Sequence, residues 1–332
     1  MLDYKGTLLL KRSELSQLLQ IKDYIAVMEN AFGIYAKQKS YGTGLLHLET
    51  DQVEYHIKAG GINLGKTYFG LKVNSNSFSG NKKTGLPNIK GAIILFDGEN
   101  GYPLAIIDSI EITIKRTGAT TAVAAKYLAR NDSKVITVCG CGNQGRIQLE
   151  ALKEVLPIRK VFAFDKDANA VAGYIKNMSA KLSLNIEPVE NLKKAVQESD
   201  VVTTCTPSRQ FFLPKEYVNP GTFIAAVGAD SPEKQELEEN LLVDNKVIVD
   251  ILEQCSAVGE LHHAIEAGLL TKEDVHGEIG DVIIGKIPAR TSNNEIIIYD
   301  ATGTAIQDTA AAATCFERAI SAGAGRFINL FD

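Results

Sequence analysis

The sequence predicts an α/β protein, in which a doubly wound parallel sheet is joined to a smaller α+β domain built from two separate stretches of the chain. From Lys134 onward, short apolar runs alternate with helical segments, which is typical of parallel strands connected by helices. Before Lys134, strand-like runs follow one another across polar or glycine turns, which is typical of an antiparallel or mixed sheet. The 332 residues suffice for two hydrophobic cores.

The first part of the chain begins with helices and continues with strands. Ser13 can cap a short helix, and a longer helix follows from about Asp23 with apolar residues on one face. The predicted strands are Tyr55–Ala59, Tyr68–Asn74, Ala92–Phe96 and Leu104–Ile107. A helix-compatible stretch, Ser109–Arg130, leads into the second part.

The second part alternates strands with helices and ends in an alanine-rich helix. The strand candidates are Lys134–Cys139, Val161–Asp165, Ile186–Val189, Val201–Cys205, Thr222–Val227 and Lys246–Asp250, and the helix candidates between them are Arg146–Leu156, Ala168–Leu182 and Leu192–Glu198. Small side chains in the last helix, Gln307–Ala324, allow close packing, and we expect this helix to dock on the first domain. The predicted domains are therefore 1–115 with 310–332, and 116–309.

A glycine-rich turn follows the first strand of the second part. The run Gly140-Cys141-Gly142-Asn143-Gln144-Gly145 leads into a helix, and Asp165 closes the next strand. In a dinucleotide fingerprint the three glycines allow a tight turn, close approach of the diphosphate, and close helix–strand packing. The helix N-terminus attracts phosphate, and the carboxylate accepts hydrogen bonds from the ribose hydroxyls. The pattern predicts a Rossmann domain that binds NAD, and Lys166 beside the carboxylate leaves NADP as an alternative.

Composition and charge argue against several other classes of protein. A net charge of −5 without a basic cluster argues against a nucleic-acid surface. No apolar run approaches the roughly twenty residues that cross a bilayer, and the N-terminus lacks the order of a signal peptide, so we expect a cytoplasmic protein with no membrane partner. The five cysteines lack zinc spacing, His47 has no obvious partner nearby in sequence, and we expect no metal site.

Substrate chemistry must come from other side chains, because a Rossmann domain specifies only the cofactor. Lys72 lies inside an apolar strand, where a lysine either reaches solvent or faces an anion. Arg116 carries a planar group that suits a carboxylate, although a solvated arginine fits the local sequence equally well.

Three further places are candidates for chemistry or binding. Asp230 follows a predicted strand end, where it is either a general acid or base or a cap before Pro232. The run Asp300-Ala301-Thr302-Gly303 either brings backbone close to the cofactor or is a plain loop. His56 and Lys58 share one strand face, which is either solvated or the mouth of a substrate pocket.

Together these motifs resemble the ornithine cyclodeaminase/μ-crystallin family. In order along nearly the full chain, the resemblance is carried by Lys72, Arg116-Thr117-Gly118-Ala119-Thr120, the glycine turn, Gly228-Ala229-Asp230-Ser231-Pro232-Glu233-Lys234 and Asp300-Ala301-Thr302-Gly303. The stretches Thr206-Pro207-Ser208-Arg209 and Lys234-Gln235-Glu236-Leu237 are most similar to the alanine dehydrogenase branch.

The resemblance implies a role for each predicted site residue. Arg116 and Lys72 would hold the substrate α-carboxylate, Lys72 would also assist proton transfer, and Asp230 would act as acid or base at the amine. The implied cofactor residues are Asn88, Thr117, Gly140, Gly142, Asn143, Gln144, Gly145, Asp165, Lys166, Thr206, Ser208, Val227, Lys234 and Thr302. The resemblance also implies a homodimer formed through the first, substrate-binding domain.

One position departs from the family pattern. Family members usually carry a further carboxylate-binding arginine on the strand that here reads His56-Ile57-Lys58-Ala59-Gly60, and His56 is the predicted substrate-binding substitute, with Lys58 as the alternative. The function implied is an NAD-dependent oxidoreductase that transfers a hydride at the α-carbon of a small α-amino or α-imino acid. An ornithine or lysine cyclodeaminase, and a nucleotide-dependent binding protein similar to μ-crystallin, are the alternatives.

Overall fold

The computed structural model describes residues 6–77, 85 and 87–331. The chain divides into two compact units, which we call unit 1 (Met1–Arg116 with Thr304–Asp332) and unit 2 (Thr117–Gly303). The sequence placed the return to the first domain at residue 310, inside the last helix. The structure places it at Thr304, so the whole of that helix belongs to unit 1.

The secondary structure combines helices with strands throughout the described residues. The helices are α1 (Arg12–Leu18), α2 (Ile21–Ala36), α3 (Ser109–Leu128), α4 (Asn143–Val155), α5 (Ala168–Leu182), α6 (Leu192–Gln197), α7 (Glu239–Leu242), α8 (Leu252–Val258), α9 (Glu260–Glu266), α10 (Ile279–Ile283) and α11 (Ala305–Ala322). The strands are β1 (Thr7–Leu10), β2 (Ser40–Glu49), β3 (Val53–Asn63), β4 (Thr67–Ser77), β5 (Ile89–Asp97), β6 (Pro103–Asp108), β7 (Val135–Cys139), β8 (Lys160–Phe164), β9 (Asn185–Pro188), β10 (Val201–Thr204), β11 (Arg209–Leu213), β12 (Phe223–Ala226), β13 (Gln235–Leu237), β14 (Lys246–Val249), β15 (Gly277–Glu278), β16 (Ile297–Asp300) and β17 (Arg326–Ile328).

Unit 1 is built on a seven-stranded sheet in the order β17-β1-β6-β5-β4-β3-β2. Strands β2 to β6 pair antiparallel with their neighbours in the chain, whereas β1 is parallel to β6 and antiparallel to β17. The sheet is therefore mixed, one of the two arrangements that the sequence predicted. Strands β1, β2 and β17 were not predicted, and β2 places His47 directly opposite His56 of β3.

Helix α11 packs closely against the middle of this sheet. It contacts β3, β4 and α2. A Cβ atom at Gly60 would lie 3.0 Å from the Ala305 Cβ atom, and one at Gly70 would lie 3.1 Å from the Thr309 Cβ atom. The Thr309 hydroxyl donates a hydrogen bond to the Gly60 carbonyl at 2.9 Å. The predicted docking of the last helix on the first domain is confirmed, and it depends on small residues on both sides of the contact.

Unit 2 is a doubly wound parallel sheet, as predicted. Its eight strands run in the order β15-β14-β16-β12-β10-β7-β8-β9, and each pair is parallel. The chain moves outward from β7 through β8 in one direction and through β10 in the other, so the topological switch point lies between β7 and β10. In folds of this kind, ligands bind beyond the carboxyl ends of the strands at that point.

Two local differences from the predicted elements affect the site. Helix α4 begins at Asn143 rather than Arg146, so the fingerprint residues Asn143 and Gln144 form its first turn. Strand β16 was not predicted; it lies between β12 and β14, and Thr302 follows it directly at the carboxyl edge of the sheet. Among the described residues, the structure has no helix with the length and apolar character of a membrane span.

The close approach of α11 to the sheet yields a prediction. Gly70→Ala places a methyl group against Thr309 in a packed contact, and we expect it to lower the free energy of unfolding by about 1–3 kcal/mol. Gly44→Ala is the matched control on β2, because its Cβ atom would meet only the Ala59 carbonyl at an ordinary 3.7 Å, and its effect should stay within about 0.5 kcal/mol. Urea denaturation of both variants measures the difference, and equal stabilities would contradict the close contact.

Candidate active site

The turn between β7 and α4 uses its three glycines in different ways. Gly140 has a φ of +108°, which a side chain disfavours, and a Cβ atom there would lie 2.9 Å from the Cys205 carbonyl oxygen. A Cβ atom at Gly142 would meet nothing within 4 Å, whereas one at Gly145 would overlap the Gly140 carbonyl. The first and third glycines therefore permit the fold, and the second keeps open space in front of the helix.

The first turn of α4 is suited to an anionic ligand. Gly142 is the N-cap and supplies no side-chain cap, and the first turn contains no acidic residue. The backbone N–H groups of such a turn attract phosphate. Asn143 is exposed, and the Gln144 Oε1 atom is buried with no hydrogen-bond partner in the described part of the chain. These features fit a dinucleotide diphosphate.

Asp165 follows β8, the neighbour of β7, and its carboxylate holds the glycine turn in place. One oxygen accepts a hydrogen bond from the Cys141 N–H at 2.8 Å, and the other accepts from the Asp167 N–H at 3.0 Å. A carboxylate oxygen has further lone pairs, so both can still accept from ribose hydroxyls. A 2′-phosphate would be repelled here, although the exposed Lys166 stands beside it.

The loops after β10, β12 and β16 carry the next group of predicted cofactor residues. Thr206 and Val227 lie just beyond β10 and β12, and buried Glu236 connects these loops by accepting hydrogen bonds from the N–H groups of Thr206 at 2.6 Å and Gly228 at 3.1 Å. Burial raises the pKa of Glu236 to about 7, although these hydrogen bonds oppose the rise. Glu236 was not among the predicted site residues.

Thr302 and Ser208 make local hydrogen bonds that fix their own loops. The buried Thr302 hydroxyl donates to Asp250 at 3.2 Å and accepts from Gln254 at 2.8 Å. The Ser208 hydroxyl donates to the Gln210 carbonyl at 2.6 Å. Both residues therefore shape the carboxyl edge of the parallel sheet, and direct contact with a cofactor stays a prediction.

Asp230 lies in the loop after β12, where its carboxylate pairs with the ammonium group of Lys234, four residues later. The side chains of Asp230 and Lys234 are 38% and 23% exposed, so the acid is reachable from solvent. The Lys234 carbonyl is bound in turn by the His263 ring at 2.8 Å. This position at the carboxyl edge of a parallel sheet agrees with a general acid or base.

A buried cluster in unit 1 brings together Lys72 from β4 and Arg116 from α3. Both bind the carboxylate of Asp308 on α11, with Lys72 Nζ 2.5 Å from one oxygen and Arg116 Nε 3.0 Å from the other. Arg116 also donates to the Gln307 side chain at 2.8 Å. The three charged side chains are 3–6% exposed, so neither Lys72 nor Arg116 is the solvated residue that was the alternative for each.

The charged side chains of this cluster shift one another's pKa values. Burial lowers the pKa of Lys72 to about 7; Asp308 opposes this, whereas Arg116 and Lys58 add to it. Burial alone would raise the pKa of Asp308, but the positive charges of Arg116 and Lys72 hold it below its ordinary value. Lys58 is 5% exposed and is the direct cross-strand partner of Lys72. Three basic side chains therefore lie close enough to Asp308 to lower its pKa, and such a concentration of positive charge favours binding of a substrate carboxylate.

His56 and Lys58 have different contacts in the structure. His56 does share a strand face with Lys58, but its ring contacts His47 at 3.1 Å and Glu54 at 2.9 Å. Lys58, the alternative, stands beside Lys72. A substrate-binding role for His56 stays a prediction, and Lys58 is the residue that the cluster includes.

Asn88 and Thr117 are the remaining predicted cofactor residues, and the backbone carbonyl of each accepts a hydrogen bond. Asn88 is exposed just before β5, and its carbonyl accepts a hydrogen bond from the Ser77 N–H at 3.3 Å. Thr117 follows Arg116 in α3, and its carbonyl accepts from the Thr121 hydroxyl at 3.4 Å. Neither hydrogen bond tests the predicted contact with a cofactor.

Sequence reasoning missed Asp308 and Gln307, although one signal was present. These two polar residues stand at the start of a helix whose next turn is Thr309-Ala310-Ala311-Ala312-Ala313. A carboxylate within a fully buried helix turn needs a positively charged partner. That partner is distant in the sequence, so the local pattern indicates a buried ion pair without naming its other members.

Comparison with known proteins agrees with this geometry. The profile of the ornithine cyclodeaminase/mu-crystallin family matches residues 5–323. The chain is 39% identical to alanine dehydrogenase of Archaeoglobus fulgidus over 326 residues, 98% of this chain and 99% of that protein.

Two solved structures have the same fold along nearly their whole length. One is an archaeal alanine dehydrogenase dimer with bound NAD, at 37% identity and a TM-score of 0.93, covering 98% of this chain and 100% of that one. The other is the Δ1-pyrroline-2-carboxylate reductase of Thermococcus litoralis with NADH and L-proline, at 30% identity and a TM-score of 0.92, covering 97% and 100%. The family that the motifs indicated is confirmed, and the chain belongs to the ornithine cyclodeaminase/mu-crystallin family.

Proposed function

We propose that this protein is an NAD-dependent oxidoreductase of a small α-amino acid and its α-imino acid, of the alanine dehydrogenase type. The observation that carries the proposal is the buried cluster in which Lys72 and Arg116 bind the carboxylate of Asp308, with buried Lys58 directly across the strand pair from Lys72. The dinucleotide turn at Gly140–Gly145 supplies the second requirement. The 39% identity to an alanine dehydrogenase supports this substrate class over other amino acids.

Arg116 and Lys72 bind the substrate α-carboxylate, and Lys58 takes the place of the third basic residue. An arginine offers two parallel N–H donors to a carboxylate, whereas a lysine acts as a point charge. Asp308 holds Arg116 and Lys72 in position before substrate arrives. The carboxylate is thereby held at a fixed place, which orients the α-carbon.

Asp230 exchanges the proton at the substrate nitrogen. When bound, NAD supplies the acceptor for the hydride that leaves the α-carbon. Asp230 removes a proton from nitrogen as the C=N bond forms, and water then releases ammonia from the imino acid. In the reverse direction the same carboxyl group returns the proton. Lys234 pairs with the Asp230 carboxylate and keeps it in the loop after β12.

We also propose that the protein is a homodimer formed through the sheet of unit 1. The side of this sheet opposite Lys72 carries exposed apolar residues: Leu46 and Leu48 on β2 are each 50% exposed, and Phe69 on β4 is 39% exposed. Apolar surface of this kind marks a protein interface. The similar archaeal alanine dehydrogenase is a dimer.

The five unpaired cysteines suit a reducing compartment, for which we propose the cytoplasm.

A substrate panel tests this function. We expect NADH to form from NAD with L-alanine, and NADH to be consumed with pyruvate and ammonium, at higher kcat/KM than with NADP or NADPH. Δ1-pyrroline-2-carboxylate tests the reductase alternative, and ornithine tests cyclodeamination, which yields proline and ammonia without net NADH. Tight NADH binding without turnover of any amino or imino acid would contradict an enzymatic function.

Removing the proposed acid–base group should remove turnover alone. We expect Asp230→Asn to lower kcat by about 10²–10⁴-fold, because proton transfer at nitrogen loses its partner. NADH affinity, measured by fluorescence titration, should change little. Glu233→Gln, in the same loop and bonded to Ser231 at 3.2 Å, is the control and should keep near-normal kcat. Near-normal rates for Asp230→Asn would exclude this residue from the chemistry.

The buried cluster predicts a particular pH dependence of substrate binding. Because the pKa of Lys72 is about 7, its positive charge is present below pH 7, and the KM for the amino or keto acid should rise as pH increases through 7. Asp308→Asn removes the anion that raises the pKa of Lys72, so this rise should move to lower pH. At pH 7 we expect KM to increase about 10- to 100-fold.

A second carboxylate on the same helix provides the control for Asp308. Glu317 accepts a hydrogen bond from the Tyr68 hydroxyl at 2.6 Å, and Glu317→Gln should leave the pH profile of KM unchanged. An Asp308→Asn profile that coincides with that of the unsubstituted protein would show that Asp308 does not set the charge of Lys72.

A further inference from the structure

Strands β2 and β3 bring two histidines and a glutamate to one face of the sheet in unit 1. His47 and His56 are directly opposite in the antiparallel register, with His47 Nε2 3.1 Å from His56 Nδ1. Glu54 precedes His56 by two residues, so it projects from the same face, and its Oε1 atom is 2.9 Å from His56 Nε2. One potential ligand atom from each residue lies within 4.8 Å of the others.

We propose that His47, Glu54 and His56 form a binding site for a divalent transition-metal ion of the zinc type. Two nitrogen ligands on a tetrahedral zinc ion, each at about 2.0 Å, lie about 3.3 Å apart, close to the separation of the two imidazoles here. Imidazole nitrogen with carboxylate oxygen is a donor set that suits zinc, cobalt, nickel or copper rather than magnesium or calcium. Three protein ligands leave a fourth position for water or a ligand.

The surroundings of the three residues also suit a metal. The His56 and Glu54 side chains are only 13% and 14% exposed, so a bound ion is partly shielded from water. All three residues stand on paired strands rather than on a loop, which fixes the distances between the ligand atoms. The rings of His47 and His56 meet edge to face at 68°, so their nitrogen lone pairs approach from different directions.

A second group of the same composition does not share these properties. His262, His263 and Glu266 also come within ligand distance, on helix α9 in unit 2. There, the His263 ring already binds the Lys234 carbonyl at 2.8 Å, and the Glu266 side chain is 73% exposed. This group therefore serves as an internal control for nonspecific binding of metal ions by surface histidines.

The inference goes beyond the proposed oxidoreductase activity and does not depend on it. It assigns His56 to a metal, and it leaves the substrate carboxylate to Lys58, Lys72 and Arg116. His56 and Lys58 alternate on one strand face, so a metal here would lie near the proposed carboxylate site in the same unit.

Cobalt and zinc titrations of the full-length protein test the proposal. After treatment with a chelator and its removal, we expect Co²⁺ to bind with one ion per chain and to produce the visible absorption of a site with nitrogen ligands, and Zn²⁺ to displace it. His47→Ala and His56→Ala should abolish this spectrum. Glu54→Gln should weaken binding by about 10- to 100-fold, whether the carboxylate binds the ion or orients His56.

The control is the double variant His262→Ala with His263→Ala, which should bind Co²⁺ with unchanged stoichiometry and spectrum. Circular dichroism and NADH affinity report whether each variant is folded. The proposal is overturned if the unsubstituted protein gives no cobalt spectrum, or if folded His47→Ala and His56→Ala variants bind Co²⁺ as it does. Loss of the spectrum in the control alone would assign the metal to helix α9 instead.

Discussion

The carboxylate of Asp308 is the group on which the arrangement of unit 1 depends. It neutralises part of the charge of Lys72 and Arg116, which are nearly inaccessible to water. An uncompensated buried charge costs several kcal/mol, so Lys72 and Arg116 need an anion close by. Asp308 on α11 supplies that anion, and the return of the chain after Gly303 brings α11 into place. The division of unit 1 into two segments thus has an electrostatic purpose as well as a packing one.

The same requirement explains the composition of α11. A carboxylate at the helix surface reaches Lys72 only if the helix lies close to the sheet, and Gly60 and Gly70 face Ala305 and Thr309 at that contact. Larger side chains would move the helix away and separate the charges. The alanine run that the sequence displays is therefore linked to the ion pair, because both depend on one short helix–sheet distance.

The sequence predicted the glycine turn and its neighbouring carboxylate in full and the charged cluster only in part, for a physical reason. The glycine turn and Asp165 lie within about one βαβ unit, so their spacing alone specifies their geometry. Arg116 and Asp308 are 192 residues apart, and only the folded chain brings them together. His47 and His56 meet through the register of β2 and β3, so their contact can be predicted only if β2 is recognised as a strand. Strand β2 has exposed leucines on one face and so lacks the sequence pattern of a buried strand.

The proposed carboxylate site would link substrate binding to proton uptake. Burial lowers the pKa of Lys72 to about 7, and the positive charges of Arg116 and Lys58 add to this effect while Asp308 opposes it. A substrate carboxylate bound there, as proposed, would add negative charge and raise that pKa again. Because linkage is reciprocal, a protein that binds a carboxylate more tightly when Lys72 is protonated must also bind a proton more tightly when the carboxylate is present. Near and above neutral pH, binding of the acid substrate at the proposed site would therefore be accompanied by uptake of a proton.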